Sequence, residues 1–515
     1  MCNIFSEILN VEQVGINDNF FELGGDSIKA IKIISKLRNA GYSATVKDIM
    51  NGKTADRIAL NIKTESGEKH YEQDEVNGKI EPTPIMKEFQ NWGLAKPNHF
   101  NQTMQINVTD FDNDSVKKAV DSLICHHDVL RAVYRNETLE ILPISKSKLA
   151  DYYIYDLSAE QRKAEIIFKT STDIQKSFDL ENGPLVKAAI YDMGDFKILW
   201  LCIHHLVVDG VSWRILLEDF DSAVKQTSRD ETIVLPEKTA SFIDWSNYLR
   251  NYNAQMSVSD KEYWENAVSE IVNGKLAVKF GENSDYPALV EFDKDTTEKL
   301  MTKSSNAYGV KINEVMLAAL ATAVGRITGQ ETLSVELEGH GREELHEPIL
   351  IDRTVGWFTN IYPVNLKCLQ DHSKAIISAK DTIRRVPDSG IGYGFVSHSC
   401  SPDICFNYLG DFGETKSGRS EEYIFGNSVA EENIMPERIS INGSISNGKL
   451  TFSICGHDSG VGKDFIEKLK DEFKRSLTEL IEYCANTQND GKTISDMIDD
   501  ELDDEELELI NDLFS

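Results

Sequence analysis

Positive charge is scarce in this chain of 515 residues. Lysine and arginine total 54 against 85 aspartates and glutamates, so the formal net charge is -31. Nucleic acids and anionic membranes are bound through clusters of Lys and Arg, which this balance disfavours. Long apolar runs are also missing, since no stretch reaches the roughly 20 residues that a membrane-spanning helix needs. We therefore expect neither nucleic acid nor membrane among the partners.

Cysteine is sparse as well, and its spacing is irregular. The eight cysteines include no Cys-x-x-Cys pair, which argues against a zinc site and favours reduced thiols. The first residues, MCNIFSEILNVEQV, do not contain the basic, apolar and small-residue regions of a signal peptide in series. The sequence therefore predicts a cytoplasmic protein without a metal site.

The chain is too long for one hydrophobic core, because single cores stop growing at roughly 250 to 300 residues. Residues 1–63 contain short helical patterns joined by polar turns, and residues 64–80 are charged and poor in apolar side chains. Apolar strands alternate with helical stretches over residues 81–486, and residues 487–515 are strongly acidic. We predict a small all-α four-helix bundle, a flexible linker, an α/β domain and an acidic tail, in that order.

The longest helical pattern of the bundle begins at a glycine pair. Ile28, Ile31, Ile34 and Leu37 recur at three-residue steps, which indicates a packed helix face. Ser27 stands at the start of this helix, where Asp and Ser are favoured as N-caps, so capping alone can explain an isolated GGDS.

The LGGDSI stretch, with the bundle around it, resembles the peptidyl carrier proteins of nonribosomal peptide synthetases. The resemblance implies that Ser27 carries a covalent 4'-phosphopantetheine, and a helix N-terminus suits the phosphate of that group. It further implies a phosphopantetheinyl transferase that attaches the group. In this family, Asp before the serine and Ile after it are typical of carriers that feed an epimerization domain.

Two adjacent histidines end an apolar strand in the stretch WLCIHHLVVDG. Successive strand residues face opposite sides, so at most one of His204 and His205 can face a site. Asp209 precedes a new helix, where it fits ordinary capping. The HHxxxDG spacing resembles the signature shared by nonribosomal condensation and epimerization domains and by chloramphenicol acetyltransferase-like enzymes. The resemblance implies two lobes, at about 81–255 and 256–486, with His205 facing a tunnel between them and Asp209 organising the loop.

A second charged motif follows an apolar strand in the C-terminal half. VELEGHGREE places Glu338, His340, Arg342 and Glu343 in one loop, which by itself is usually a solvated turn. EGHGRE nevertheless resembles a motif of epimerization domains that condensation domains lack. Five further stretches match the family's other motifs, although the first match is weak: PTPIMKEF, INEVMLAALATAVG, DRTVGWFTNIYPVNL, PDSGIGYGF and FNYLGDF.

Several side chains are expected to support the chemistry. Arg131, in HHDVLR, is the expected partner of Asp209, in a buried and architectural ion pair. Arg342 belongs to the EGHGRE loop. Asn407 and Tyr408, in FNYLGDF, are candidates for stabilising negative charge on a substrate oxygen, although Tyr408 also fits a core position in an apolar strand.

The resemblance implies inversion of the α-carbon of an aminoacyl or peptidyl thioester held on the carrier. A base removes the α-hydrogen and an acid returns a proton to the opposite face, and such groups typically contribute about 10² to 10⁴ in rate. His205 and Glu338 are the expected pair, in either order. A condensation domain that forms peptide bonds, and an inactive module that only docks carriers, stay open as alternatives.

The family resemblance also implies protein partners. These are an upstream adenylation domain and the downstream condensation domain of the next synthetase. The acidic tail has ten acids between Asp496 and Asp512, interrupted by apolar residues that suit a helix with one narrow apolar face. Such a helix would recognise a basic partner by charge, while a solvated acidic helix explains the pattern equally well.

Overall fold

A computed structural model describes most of the chain. The described residues are 1–64, 71–277, 287–343, 345, 348–396, 400–411, 423–457, 462–487 and 493. Within these ranges, no helix combines the length and the apolar character needed to cross a bilayer.

The N-terminal region, residues 1–64, is a helical unit with a core of its own, and we call it the carrier region after its predicted role. Its elements are α1 (Cys2–Leu9), α2 (Ser27–Asn39), β1 (Tyr42–Ser43), α3 (Val46–Gly52), α4 (Ala55–Asn61) and β2 (Lys63–Thr64). Helix α2 begins at Ser27 because Asp26 has an extended backbone and its carboxylate accepts a hydrogen bond from the Lys29 amide at 2.7 Å.

The buried side of α2 differs slightly from the predicted stripe. The residues of α2 in the carrier core are Ala30, Ile33, Ile34 and Leu37. These positions follow the period of 3.6 residues, whereas three-residue steps drift around the helix. Ile31 is also buried, but it lies outside this core.

The first half of the α/β domain is built on a four-stranded sheet. The elements of this half are β3 (Gly78–Lys79), α5 (Pro84–Asn91), β4 (Asn101–Asn107), α6 (Asn113–His126), β5 (Ala132–Arg135), β6 (Thr138–Ile141), β7 (Asp151–Asp156), α7 (Lys163–Lys176), β8 (Val186–Asp192), β9 (Lys197–His204), α8 (Gly210–Thr227) and α9 (Phe242–Gln255). The order of strands in the four-stranded sheet is β4-β9-β8-β7. Strands β3, β6 and β5 form a separate small sheet.

The second half contains a mixed six-stranded sheet in the order β10-β15-β14-β13-β11-β12. Its elements are α10 (Val258–Ile271), β10 (Pro287–Glu291), α11 (Lys294–Lys303), α12 (Ile312–Thr328), β11 (Thr332–Gly339), β12 (Asn360–Lys367), α13 (His372–Arg384), β13 (Ile404–Asp411), β14 (Ile439–Ser446), β15 (Lys449–Gly456) and α14 (Lys463–Asn486). Helices α12 and α14 bury apolar faces in the core of this half.

The hydrophobic cores of the two halves do not divide at residue 256, where the sequence predicts the boundary. Trp357 and Phe358, which precede β12, belong to the core of the first half. Phe425 stacks on Trp200 of β9 with 5.5 Å between the ring centroids. Segments of the second half therefore complete the hydrophobic core of the first.

The predicted linker is largely part of the folded domain. The side-chain amide of Gln73 exchanges two hydrogen bonds with the backbone of Lys238, at 3.0 and 2.9 Å. Strand β3 pairs with β6, and Ile80 is buried. The prediction of a flexible linker is therefore wrong for residues 71–80, and residues 65–70 lie outside the described part of the chain.

Asp128 holds this segment in place. Its carboxylate pairs with Arg131 at 2.7 Å and with Lys238 at 3.0 Å, and it accepts a hydrogen bond from the Val76 amide at 3.1 Å. Removing the carboxylate would leave two cations buried without their counter-charge.

We therefore expect Asp128→Ala to lower the free energy of unfolding by about 3 kcal/mol. We also expect faster proteolytic cleavage within residues 71–80. Denaturant unfolding and limited proteolysis measure the two effects. Asp114→Ala, at an exposed position in the first turn of α6, is the control and should change neither. Unchanged proteolysis in Asp128→Ala would contradict the assignment.

Candidate functional site

The two histidines at the end of β9 have different environments. His204 is fully buried, its Nε2 lies 2.9 Å from the Pro97 carbonyl oxygen, and burial lowers its pKa to about 3. His205 is half-buried between two rings, with Phe100 stacked at 5.2 Å and Trp357 at 4.5 Å between centroids. Burial lowers the pKa of His205 as well. Of the pair, only His205 has solvent-accessible surface.

Asp209 connects the His205 loop to the second half of the domain. It caps α8 by accepting from the Ser212 amide at 2.7 Å, and it accepts from the Phe358 amide at 3.0 Å. Arg342 donates to it from Nη2 at 3.4 Å. The side chain of Asp209 is therefore buried in the contact between the His205 loop and the second half.

Arg342 is almost completely buried in this junction. Its Nη1 donates to the carbonyls of Ile351 at 2.8 Å and Thr354 at 2.7 Å, and its guanidinium carbon lies 3.8 Å from the Phe358 ring centroid. These contacts tie the EGHGRE loop to the segment before β12. Arg342 is thus an architectural residue.

The expected pairing of Arg131 with Asp209 is not found. Arg131 pairs with Asp128 and donates to the carbonyls of Ile124 and Cys125, both at 2.9 Å. These carbonyls belong to the last turn of α6, where a cation is favoured by unpaired carbonyl groups. Local helix-end chemistry therefore holds Arg131 away from Asp209.

Glu338 lies near the end of β11, one strand away from Asn407. The Asn407 Nδ2 donates to its carboxylate at 2.8 Å, and the Cys405 thiol lies 3.8 Å from the other oxygen. The parallel pairing of β11 with β13 places these residues side by side. Reduced hydration raises the pKa of Glu338, against a smaller lowering by Cys405. Glu338 as a whole residue is nevertheless exposed to solvent.

Sequence reasoning missed a second carboxylate on the same face. Glu336 lies two residues before Glu338 in β11, and burial together with Glu437, Glu338 and Glu88 raises its pKa to about 8. The sequence does contain a signal for Glu336. In VELEG two glutamates stand at alternate positions of an apolar strand, and alternate strand residues share a face.

Tyr408 lies on the side of β13 toward the carrier region. Burial, Asp26 and Asp411 raise the pKa of Tyr408, and Arg214 opposes them. The Arg214 guanidinium donates to the Leu409 carbonyl at 3.2 Å. Tyr408 is half-buried and packs against the core of the second half.

One cluster outside this site has ligand-like side chains. His126, His127 and Asp219 offer atoms that all lie within 4.8 Å of one another. His127 Nε2 lies 2.9 Å from Asp219, and the Arg353 guanidinium pairs with the same carboxylate. A cation already neutralises Asp219, so the cluster is a buried ion-pair network.

The carrier region lies against the α/β domain through basic residues of α2. Lys29 Nζ is 3.2 Å from the Asp411 carboxylate, and Arg38 forms a salt bridge with Asp352. Burial and the charge of Arg214 lower the pKa of Lys32, while Glu218 and Asp26 raise it. The contact therefore joins a basic helix face to two acidic residues of the second half, with Glu218 of the first half near Lys32.

The start of α2 has the features that a phosphopantetheine arm requires. Gly24 has φ +82°, and a Cβ at Gly25 would meet the Phe20 ring at 2.5 Å, so this turn needs both glycines. The turn presents Ser27 as the first helical residue, where unpaired backbone amides suit a phosphate.

The EGHGRE loop depends on Gly341, whose φ is +66°. A Cβ there would lie 1.7 Å from the Phe358 carbonyl oxygen. We expect Gly341→Ala to lower the free energy of unfolding by about 3 kcal/mol or more, because backbone would have to move. Thermal unfolding measures this. Gly210→Ala, where a Cβ meets nothing within 4 Å, is the control, and equal stability of the two variants would contradict the close approach.

The contact between carrier and domain is tested by charge reversal. Asp411→Lys should weaken it by about 1 kcal/mol, since the pair is partly exposed, and should speed amide hydrogen exchange in α2. Adding Lys29→Asp should restore slow exchange. Lys36→Asp disrupts the pair with Glu7 inside the carrier region and should leave exchange in β13 unchanged. Failure of the double variant to recover would contradict the pairing.

Comparison with known proteins identifies both parts of the chain. Residues 1–62 match the Phosphopantetheine attachment site family, and residues 90–502 match the Condensation domain family. Surfactin synthase subunit 1 of Bacillus subtilis is 35% identical over 100% of this chain and 15% of that protein. Gramicidin S synthase 1 of Brevibacillus brevis is 34% identical over 100% of this chain and 50% of that protein. The chain thus spans half or less of the length of these relatives.

Solved structures share the fold of the α/β domain. The epimerization domain from the third module of tyrocidine synthetase B is 32% identical, with a TM-score of 0.73 over 81% of this chain and 100% of that chain. The condensation domain from Monacolin K polyketide synthase is 15% identical, with a TM-score of 0.62 over 79% of this chain and 99% of that chain. From these matches, the chain belongs to the Condensation domain family of nonribosomal peptide synthetases and carries a phosphopantetheine attachment domain before it.

Proposed function

We propose that this chain inverts the α-carbon of an aminoacyl or peptidyl group carried as a thioester on its own carrier region. The observation that carries the proposal is Glu338, a solvent-exposed residue near the end of β11 whose carboxylate accepts a hydrogen bond from Asn407 and which begins the EGHGRE motif. The similarity to an epimerization domain at 32% identity supports the same reaction.

Inversion needs two proton-transfer groups on opposite sides of one carbon atom. His205 ends β9 in the first half, and Glu338 lies on β11 in the second. The Asp209–Arg342 contact joins their loops, since each partner lies four residues after one of the two groups. The two lobes and the tunnel between them are part of this proposal.

The surroundings of both groups affect their protonation. Burial favours the neutral imidazole of His205, which is the form that accepts a proton. Reduced hydration raises the pKa of Glu338 above that of a free carboxyl group, and a carboxyl group can donate or accept a proton according to its charge state. Either group can therefore act as base, depending on the direction of inversion.

The phosphopantetheine arm, when attached to Ser27, supplies the thioester whose carbonyl group acidifies the α-hydrogen. Lys29 and Arg38 hold the carrier against Asp411 and Asp352. The positive end of α8 and Tyr408 are the groups that we assign to stabilise negative charge on the carbonyl oxygen. The Asn407 amide donates to Glu338, and we assign it to holding that carboxylate.

The reaction is tested on the full chain with an aminoacyl-phosphopantetheine loaded on Ser27, in deuterated water. We expect both enantiomers in the released acid, with deuterium at the α-carbon. His205→Ala and Glu338→Gln should each slow exchange about 10² to 10⁴-fold, because each removes one proton-transfer group. Chiral chromatography with mass spectrometry measures both quantities.

Matched variants separate chemistry from folding. Glu343→Gln changes a glutamate of the same loop, next to His340, and should retain activity, whereas Ser27→Ala should abolish loading. Retained chirality and no deuterium across aminoacyl and peptidyl donors would contradict the proposal. Product formed only with a second loaded carrier would indicate peptide-bond formation, and no turnover at all would indicate a docking module.

The relatives are synthases of which this chain covers half or less, and we propose partners for this chain. These are an upstream adenylation domain, a phosphopantetheinyl transferase and a condensation domain of the next synthetase. The predicted docking helix in residues 487–515 falls on a segment of which only residues 487 and 493 are described.

A further inference from the structure

Gln102 on β4 lies between two ring systems of the candidate site. Its Oε1 accepts a hydrogen bond from the Trp213 Nε1 at 2.8 Å. Its Nε2 lies 2.8 Å from the Nε2 of His205. Strand β4 pairs with β9 and places Gln102 opposite Ile203, two residues before His205. No motif in the sequence pointed to this glutamine.

The Trp213 indole determines which end of the amide faces His205. An indole nitrogen can only donate a hydrogen bond, so the amide atom beside it must be the oxygen. The amide nitrogen of Gln102 therefore donates toward His205, and His205 Nε2 must accept. The remaining proton of the neutral imidazole is on Nδ1, which lies 2.9 Å from the Val208 carbonyl oxygen and donates to it.

We infer that Gln102, oriented by Trp213, is a positioning residue that keeps His205 neutral with its lone pair on Nε2. The inference deepens the proposed function and rests on it for its catalytic meaning. The Val208 carbonyl completes the arrangement, because it accepts only from a protonated Nδ1. The base thus has one defined tautomer before substrate arrives.

The same arrangement opposes the charged form of His205. A protonated Nε2 would point its hydrogen at the hydrogens of the Gln102 amide. Rotating the amide would relieve this contact but break the bond from Trp213. Hydrogen bonding to the neutral form disfavours the charged form, so a proton taken up at Nε2 is readily given back.

Beyond the uncharged Gln102 amide and Val208 carbonyl, few charged groups near His205 affect its protonation. On the loop of His205 itself, the titratable neighbours are Asp209, which favours the charged form, and the buried His204. From β4 and the segment before β12, the groups packed on His205 in the described part of the chain are Gln102, Phe100 and Trp357, which carry no charge.

Gln102→Glu tests the inference, because a carboxylate accepts hydrogen bonds from both Trp213 and a protonated His205. We expect the pKa of His205 to rise by about one unit or more. Nitrogen NMR of the full chain with labelled histidine measures this without substrate, and His205→Ala identifies the signal. In the unmodified chain, Nδ1 should carry the proton. The lower pH limit of α-deuterium exchange should move upward by the same amount as the pKa.

Two further variants make the test specific. Trp213→Phe removes the donor that orients the amide, so it should shift the His205 pKa in the same direction by a smaller amount. Gln105→Glu makes the same change three residues along β4, on its other face, and should leave the His205 signal unchanged. Circular dichroism verifies that each variant is folded.

The outcomes separate this inference from the proposed function. A proton on Nε2 in the unmodified chain, or an unchanged His205 pKa in Gln102→Glu, overturns the role of Gln102 even if inversion is observed. The expected NMR result without any inversion supports the role of Gln102 and contradicts the proposed reaction.

Discussion

The buried contact between Arg342 and Asp209 joins the two halves of the α/β domain. Both side chains are almost inaccessible to solvent, so removing either one would leave an uncompensated charge in the interior. Asp209 also caps α8, and Arg342 also holds the carbonyls of the segment before β12. Each lies four residues after a proposed proton-transfer group, so this contact links the segment that follows His205 to the segment that follows Glu338.

The acidic residues of the domain lie in two different kinds of surroundings. Glu336 and Glu338 lie on one face of β11, where incomplete hydration raises the pKa of both carboxyl groups. Asp411 and Asp352 instead face the basic side of the carrier helix. The acidic residues of the domain thus include two strand carboxyl groups with raised pKa values and two carboxylates that pair with the carrier region.

The cores of the domain do not follow the order of the chain. Trp357 and Phe358 follow the first strand of the large sheet in sequence, yet they pack in the core of the first half. Residues 71–80 look like a linker by composition, but Ile80 is buried and β3 pairs with β6. Composition describes a short segment alone, whereas its burial depends on surfaces contributed from far along the chain.

Local features were set by the sequence alone. The start of α2 at Ser27 follows from Asp26 as its cap, and the end of β9 at the histidine pair follows from its apolar run. The choice of Arg342 over Arg131 for Asp209 was decided only by tertiary structure, as was the contact of Gln102 with His205. Helix capping and strand alternation involve only a few neighbouring residues, so both can be predicted from the sequence. Partners separated by 133 and 103 residues are selected by packing, which no local spacing encodes.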